Sequence, residues 1–335
     1  MKHFTRIADL GVAGVESVLA EAQAWKKRAP GAHLDGKLLG MVFFNPSLRT
    51  RASFEAAMLR GGGSTIVLDV GNGIWKLEDR TGAVMDGDKP EHIHEAIPVL
   101  GRYVDALAVR TFGTLQDDDA DLADPVMNAF RELAGVPVIS MESAREHPCQ
   151  GLADLLTVRE NFGDTRELPV TLTWAPHIKP LPKAVPHSFL LIAAAAGCEV
   201  RAVHPPGFDL HPDVLAEAKK YAEESGGSVM VSHDQRAALS DSRVVYAKAW
   251  GPVTKSVPSA EAVSRIAAHK DWLITNKTLH AAARDAIFLH CLPVRRNVEV
   301  ADEVLDGPQS HVIDEAENRF HVQRVLLDRL LNNAP

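Results

Sequence analysis

Short, nearly continuous apolar runs recur along this chain, separated by longer stretches of helical sequence, and this alternation limits its fold more than any other feature. Residues 38–44, 65–68, 106–109 and 136–139 read as strands in the first half. Runs of this kind, apolar throughout rather than at every second position, belong to strands covered on both faces, as in parallel sheets flanked by helices. The rhythm restarts at 170–174, 199–203, 228–231, 244–247 and 287–289, with helical segments such as 214–224 between them. The expected architecture is therefore α/β, with two doubly wound parallel-sheet domains, and a length of 335 residues suits two cores. We place the boundary after His147-Pro148, giving domains at 1–148 and 149–314. A helix from near Gln150 links the halves, and a tail helix over 315–335 packs back on the first domain.

Composition narrows the partners. With 36 Lys+Arg against 44 Asp+Glu, the net charge of −8 disfavours nucleic acid or an anionic membrane as the main partner. No apolar run nears the ~20 residues of a membrane span, and the opening residues lack a signal-peptide core, so a cytoplasmic protein is expected. Three cysteines, Cys149, Cys198 and Cys291, are too scattered for a disulfide framework or a zinc site. The acidic triplet Asp117-Asp118-Asp119 reads as a solvated loop. The Pro-rich stretch 174–186 follows a strand and is expected to be a non-helical ligand loop.

Three clusters carry chemistry. In the first, a buried strand ends at Phe43-Phe44, a turn follows, and Ser47 is placed to cap the next helix. Free N–H groups and the helix dipole favour an anion there, and Arg49, Thr50 and Arg51 add two charges and a hydroxyl. The second is Glu142 with His147-Pro148-Cys149-Gln150 after another strand, where neutral His and Gln groups suit a carbonyl bearing an NH₂. The third is His290-Cys291-Leu292-Pro293-Val294-Arg295-Arg296-Asn297. Nothing beside Cys291 marks it as an activated thiolate, so backbone contacts from a shaped loop are as good a reading. Arg110, Lys248 and Arg319 add cations near strand or helix ends, which points to a cleft for an anionic substrate.

In order and spacing, Ser-Leu-Arg-Thr-Arg, His-Pro-Cys-Gln and His-Cys-Leu-Pro-Val-Arg-Arg-Asn together resemble the transcarbamylase family over essentially the whole chain. The resemblance implies carbamoyl phosphate as donor and an amine as acceptor. The Ser-Met-Gly loop of the ordinary ornithine enzymes is missing. The Pro-rich 174–186 segment, the stretch 246–250 and residues 84–88 look like the branch that acts on ornithine with an acylated α-nitrogen. Within it, the acetyl enzymes carry a glutamate where Pro90 stands and a lysine where Glu299 stands, so the chain looks more like the succinylornithine enzymes. Asn45-Pro46-Ser47 resembles the acetyl group's phosphate loop and favours N-acetylornithine as the alternative.

The resemblance implies roles for particular residues. Ser47, Leu48, Arg49, Thr50, Arg110, His147, Gln150, Cys291, Leu292 and Arg319 would hold carbamoyl phosphate; Glu142, His177, Lys248 and Arg295 would hold the acylated ornithine. Trp75 and Pro90 would reach in from a neighbouring subunit of a homotrimer with shared sites, and the Leu292-Pro293 bond would be cis. No metal or cofactor is expected, because the donor already carries an activated carbonyl and a good leaving group. A nucleotide-binding dehydrogenase would need a Gly-x-Gly-x-x-Gly turn after a strand, whereas Gly61-Gly62-Gly63 ends a helix. A regulatory homologue without activity would be expected to lose an arginine or Gln150, and every such position is filled.

Overall fold

The computed structural model describes residues 1–28, 30–255 and 259–332. In chain order the first half forms α1 (Gly11–Lys27), β1 (Leu38–Phe43), α2 (Arg49–Arg60), β2 (Ser64–Asp69), β3 (Leu77–Glu78), β4 (Glu91–His92), α3 (Ile93–Leu100), β5 (Ala106–Arg110), α4 (Asp118–Ala123), α5 (Pro125–Leu133) and β6 (Val138–Glu142). Helix α6 (Pro148–Phe162) crosses to the second half. There follow β7 (Pro169–Trp174), α7 (Ala184–Ala195), β8 (Glu199–Val203), α8 (Pro212–Ser225), β9 (Ser228–Ser232), α9 (Gln235–Leu239) and β10 (Val244–Lys248). The last elements are α10 (Ser259–Ala267), α11 (Asn276–Leu279), β11 (Ile287–Leu289), α12 (Asp302–Leu305) and α13 (Val312–Asn332).

Two parallel sheets result. The first has the order β2-β1-β5-β6 and the second β11-β10-β7-β8-β9; β3 and β4 pair separately. Central strands β5 and β10 are buried at every position, as continuous apolar runs require, while edge strand β9 is partly exposed. The run read at 136–139 forms its strand at Val138–Glu142 instead, because the strand continues through polar Ser140 and Glu142, whose side chains are buried, Glu142 against Arg110 of β5. Strand order reverses between β1 and β5 and again between β7 and β10, and it is at such reversals that loops leave a crevice at the carboxyl ends of parallel strands.

One apolar core runs through both halves. Helix α13 packs on α1, α2 and α6, and its Val322, Val325, Leu326 and Leu330 join Leu152, Leu155 and Leu156 of α6. The last three residues of the expected 315–335 helix lie outside the described residues. No described helix is long and apolar enough to cross a membrane.

Two local expectations fail for identifiable reasons. The triplet 117–119 is not a solvated loop: Asp117 accepts hydrogen bonds from the Asp119 and Ala120 N–H groups at the start of α4. Asp118 accepts from Lys183 Nζ (2.7 Å) and Thr254 Oγ1 (3.2 Å), and Asp119 meets His211 (2.9 Å). Carboxylates gather there because free N–H groups and cations from the second half converge on the helix start. The Pro-rich segment likewise does not stay irregular to its end, since α7 begins at Ala184 with Pro186 in its first turn, where a missing N–H costs little.

Lys183 is almost wholly buried, and Asp118 is its ion-pair partner. Removing that partner strands a buried charge. Asp118→Ala should therefore lower stability by about 2–4 kcal/mol in urea unfolding, less than for a pair sealed on both sides because Asp118 is partly exposed. Adding Lys183→Met should restore most of the loss; a double variant as unstable as the single one would show that the ion pair is not the tie between the halves.

Candidate active site

The carboxyl ends of the two sheets open onto a cavity of about 510 Å³. At its first end, β1 runs out at Phe43, and the Ser47 hydroxyl accepts the Thr50 N–H (3.2 Å), which lets α2 begin. Arg49 lines the cavity with no salt bridge among the described residues, and its buried Nε has no partner. Arg110, the last residue of β5, pairs with Glu142, the last of β6 (2.7 Å), and stacks 4.6 Å above the Phe112 ring. Arg319 comes from α13. Its Nη2 donates to Thr50 Oγ1 (2.6 Å), and Arg110 approaches the same oxygen at 3.4 Å. With two donors on that oxygen, the Thr50 hydroxyl proton is left to point elsewhere, and it lines the cavity.

Three guanidinium groups thus share one small space with one carboxylate. Burial, followed by the charges of Arg110 and Arg49, pushes Arg319 down to about 10, which still leaves it charged at neutral pH. An anion would relieve the repulsion. Arg51, which sequence alone grouped with Arg49, is turned away: it is ion-paired with Asp69 at the end of β2 and lies over the Phe43 ring.

Beside the arginines stand the neutral groups. His147 precedes α6, and its N–H donates to Ser188 Oγ of α7 (2.7 Å). Burial and the nearby Arg319 and Arg110 hold the imidazole far below its usual range, so it is uncharged at neutral pH. Its Nε2 lies 3.8 Å from Glu142, too far for a hydrogen bond, and its buried Nδ1 has no partner. Gln150 donates from Nε2 to Asp154 Oδ1 (2.7 Å) and Glu315 Oε1 (3.0 Å), while its buried Oε1 has no partner. The site therefore presents a spare acceptor next to spare cations.

The far end is built by β7, β10 and the loop after β11. His290 Nδ1 accepts the Leu292 N–H (2.9 Å), so its proton sits on Nε2 and is donated to Glu299 (3.1 Å). This shapes the loop through the cis Leu292-Pro293 bond. Burial raises the Cys291 thiol to about 12, which leaves it without a nucleophilic thiolate at neutral pH. Lys248 ends β10, and His177 follows β7 with Nε2 accepting from Arg295 Nε (3.0 Å). Buried Glu299 joins this group through His290, the Arg295 N–H (3.2 Å) and His177 (3.6 Å).

Every residue to which the family resemblance gave a role lines this cavity except Trp75 and Pro90. Those two are exposed in the loop before α3, where Trp75 Nε1 donates to Glu91 (2.6 Å) and buried Glu78 holds Arg80 and Lys89. The sequence reading passed over Phe112, Lys179 and Glu299 as lining residues, and Asp154 and Glu315 behind them. Asp154 had a usable signal, being polar, four residues after Gln150 and on the same face of an apolar helix. No described group of His, Cys, Asp or Glu has metal-binding geometry.

Comparison with known proteins agrees with this geometry. The aspartate/ornithine carbamoyltransferase family matches twice, through its carbamoyl-P binding domain over residues 2–160 and its Asp/Orn binding domain over 182–330. The chain is 41% identical to an N-acetylornithine carbamoyltransferase of Xanthomonas axonopodis pv. citri, over 100% of this chain and 98% of the relative. It is equally 41% identical to an N-succinylornithine carbamoyltransferase of Bacteroides thetaiotaomicron, over 99% of both chains. Among solved structures, N-acetyl-L-ornithine transcarbamylase complexed with acetylcitrulline has a TM-score of 0.95 at 40% identity, covering 98% of this chain and 99% of that one. A glutamate-to-proline mutant of that enzyme, complexed with carbamyl phosphate and N-succinyl-L-norvaline, matches with the same score and identity over 98% of this chain and 100% of that one.

An unpaired, partly buried guanidinium in a site of this kind should govern anion affinity. Arg49→Ala is expected to weaken binding of inorganic phosphate by about 10- to 100-fold in calorimetric titration, the worth of one charge-assisted contact. Unchanged affinity would mean that the anion binds elsewhere.

Proposed function

The chain belongs to the aspartate/ornithine carbamoyltransferase family, and on that premise we propose that it moves the carbamoyl group of carbamoyl phosphate to the δ-amine of N-succinyl-L-ornithine, giving N-succinyl-L-citrulline and phosphate in arginine biosynthesis. The observation that carries the proposal is the meeting of Arg110 and Arg319 at Thr50, with Arg49 lining the same cavity, beside the unpaired Gln150 acceptor. One cavity then offers cations for a phosphate and an acceptor for the NH₂ of the group attached to it. In this reading residues 1–148 form the carbamoyl phosphate domain and 149–314 the acylornithine domain.

The geometry supports a direct transfer. The neutral δ-amine attacks the carbonyl carbon, forming the C–N bond, and the C–O bond to phosphate then breaks. Thr50, the arginines and neutral His147 donate to the oxygen that gains charge, while Gln150 and the Leu292 carbonyl hold the carbamoyl NH₂. Ser47, Leu48 and Cys291 help shape the donor pocket; Glu142, His177, Lys248 and Arg295 hold the acceptor. The phosphate leaves with the amine's proton. Because His147 is already neutral and the free amine's pKa is near 10, kcat/KM for the acceptor should climb tenfold per pH unit from about 6 to 8, with no plateau set by a histidine. A bend near pH 6.5 would show that His147 titrates.

The acyl group is read from Pro90. Where the acetyl relatives are taken to carry glutamate, proline removes a charge that would repel the terminal carboxylate of a succinyl group. The related glutamate-to-proline mutant seen with N-succinyl-L-norvaline supports the same direction. N-acetylornithine is the second reading, favoured by the Asn45-Pro46-Ser47 form of the phosphate loop and by relatives of equal identity. Parallel assays with free, N-acetyl- and N-succinyl-ornithine should give the highest kcat/KM with the succinyl compound, and Pro90→Glu should lower the succinyl-to-acetyl ratio by roughly tenfold. Preference for N-acetylornithine in the native protein would overturn the substrate assignment.

Trp75 and Pro90 stand outside their own chain's cavity, which supports sites shared between neighbours in a homotrimer. Mixing Trp75→Ala and Arg49→Ala proteins should then regenerate intact sites and partial activity. Exchanged hybrids that stay inactive would refute sharing.

A further inference from the structure

Behind Gln150 lie two buried carboxyl groups that the transfer chemistry does not use. Asp154 stands one turn further along α6, and Glu315 reaches across from α13; both are shut off from solvent and both accept from the same Gln150 nitrogen, at 2.7 and 3.0 Å. Glu315 also accepts the His290 N–H through Oε2 (2.8 Å). Three of the four carboxyl oxygens therefore receive a donor. The fourth, Asp154 Oδ2, is buried and receives none.

We propose that Asp154 and Glu315 hold a single proton between them and thereby act as positioning residues that turn the carbonyl oxygen of Gln150 toward the donor and make the site demand an N–H there. The proposal rests on the carbamoyl transfer reading above. Two carboxylates facing one nitrogen in an interior closed to solvent cannot both stay ionised. Burial raises both groups, and the Asp154 charge raises Glu315 further, while the Tyr246 hydroxyl facing Asp154 and the charge of Arg319 favour keeping one negative charge in the pair. The protons belong to the pair rather than to either residue alone.

The consequence falls on Gln150. Reversing its amide would set a carbonyl oxygen against an ionised carboxylate, so the NH₂ stays on the pair and Oε1 stays on the cavity side, buried and unpaired. A carbamoyl NH₂ satisfies it. The methyl of acetyl phosphate, otherwise similar in shape and charge, would leave it without a donor, and sites of that kind reject the analogue strongly.

The test uses the full chain with carbamoyl phosphate, the acylornithine, and acetyl phosphate as a competing inhibitor. Glu315→Gln offers one carbonyl oxygen where two donors need acceptors. It should raise KM for carbamoyl phosphate about tenfold or more, leave KM for the acylornithine within about threefold, and narrow the preference over acetyl phosphate by about tenfold. Asp154→Ala should act in the same direction. Asp154→Asn, which matches the neutral carboxyl in shape and lack of charge, should recover most of the loss. An infrared band of a buried protonated carboxyl should be present in the wild type and lost in Asp154→Asn, a reading that does not need the Glu315 variant to fold. Absence of the band, an Asp154→Asn protein no better than Asp154→Ala, or an unchanged carbamoyl-to-acetyl phosphate ratio in Glu315→Gln would each overturn the proposal. The two readings separate cleanly: a wild type that transfers nothing from carbamoyl phosphate defeats the functional assignment, and the band reports the pair in either case.

Discussion

The hydroxyl of Thr50 is the point on which this molecule turns. Its oxygen receives one guanidinium from the end of β5 and another from α13, and its own backbone is held by Ser47 at the start of α2. Three elements distant in sequence are thereby fixed around one atom. The arrangement concentrates positive charge in a largely buried space, and Glu142 offsets part of it through its pair with Arg110. Such a centre is unfavourable when empty. A ligand carrying negative charge gains from that stored repulsion, and binding it stabilises the folded state by mass action.

Topology explains why so many polar side chains meet there. Both sheets are parallel, so all their strands end on the same side, and each sheet reverses its strand order once. Arg110, Glu142 and Lys248 are the last residues of their strands, while Ser47, His177 and Leu292 follow theirs by a few positions. Interior strand positions have no such freedom, because helices cover both faces and a charge there would have no partner. Polar chemistry is thus pushed to the strand ends by the same packing rule that makes the strands apolar.

That rule also decides what could be read from the sequence. Strands β1 and β10 were legible because burial on both faces writes a nearly unbroken apolar run. The loop before α2 was legible as a candidate anion site because a strand end, a capping serine and basic residues are neighbours in the chain. Arg49 and Arg51 could not be told apart, since the difference lies in Asp69, supplied by another strand. Asp117–Asp119 looked like solvent-facing charge because Lys183, Thr254 and His211, which meet them, come from the second half. The partnership of Gln150 with Glu315 spans two helices far apart in sequence and leaves no local trace. Trp75 and Pro90 were named only through family resemblance, and a single chain leaves both away from its own cavity.

Helix α13 is made after both sheets, yet it supplies Arg319 to the anion end and Glu315 to the support of Gln150. Order of synthesis thus becomes order of competence. A ribosome-bound chain that ends before residue 312 lacks one of three guanidiniums and half of a carboxyl pair, so the cavity is chemically incomplete until the last helix has been made.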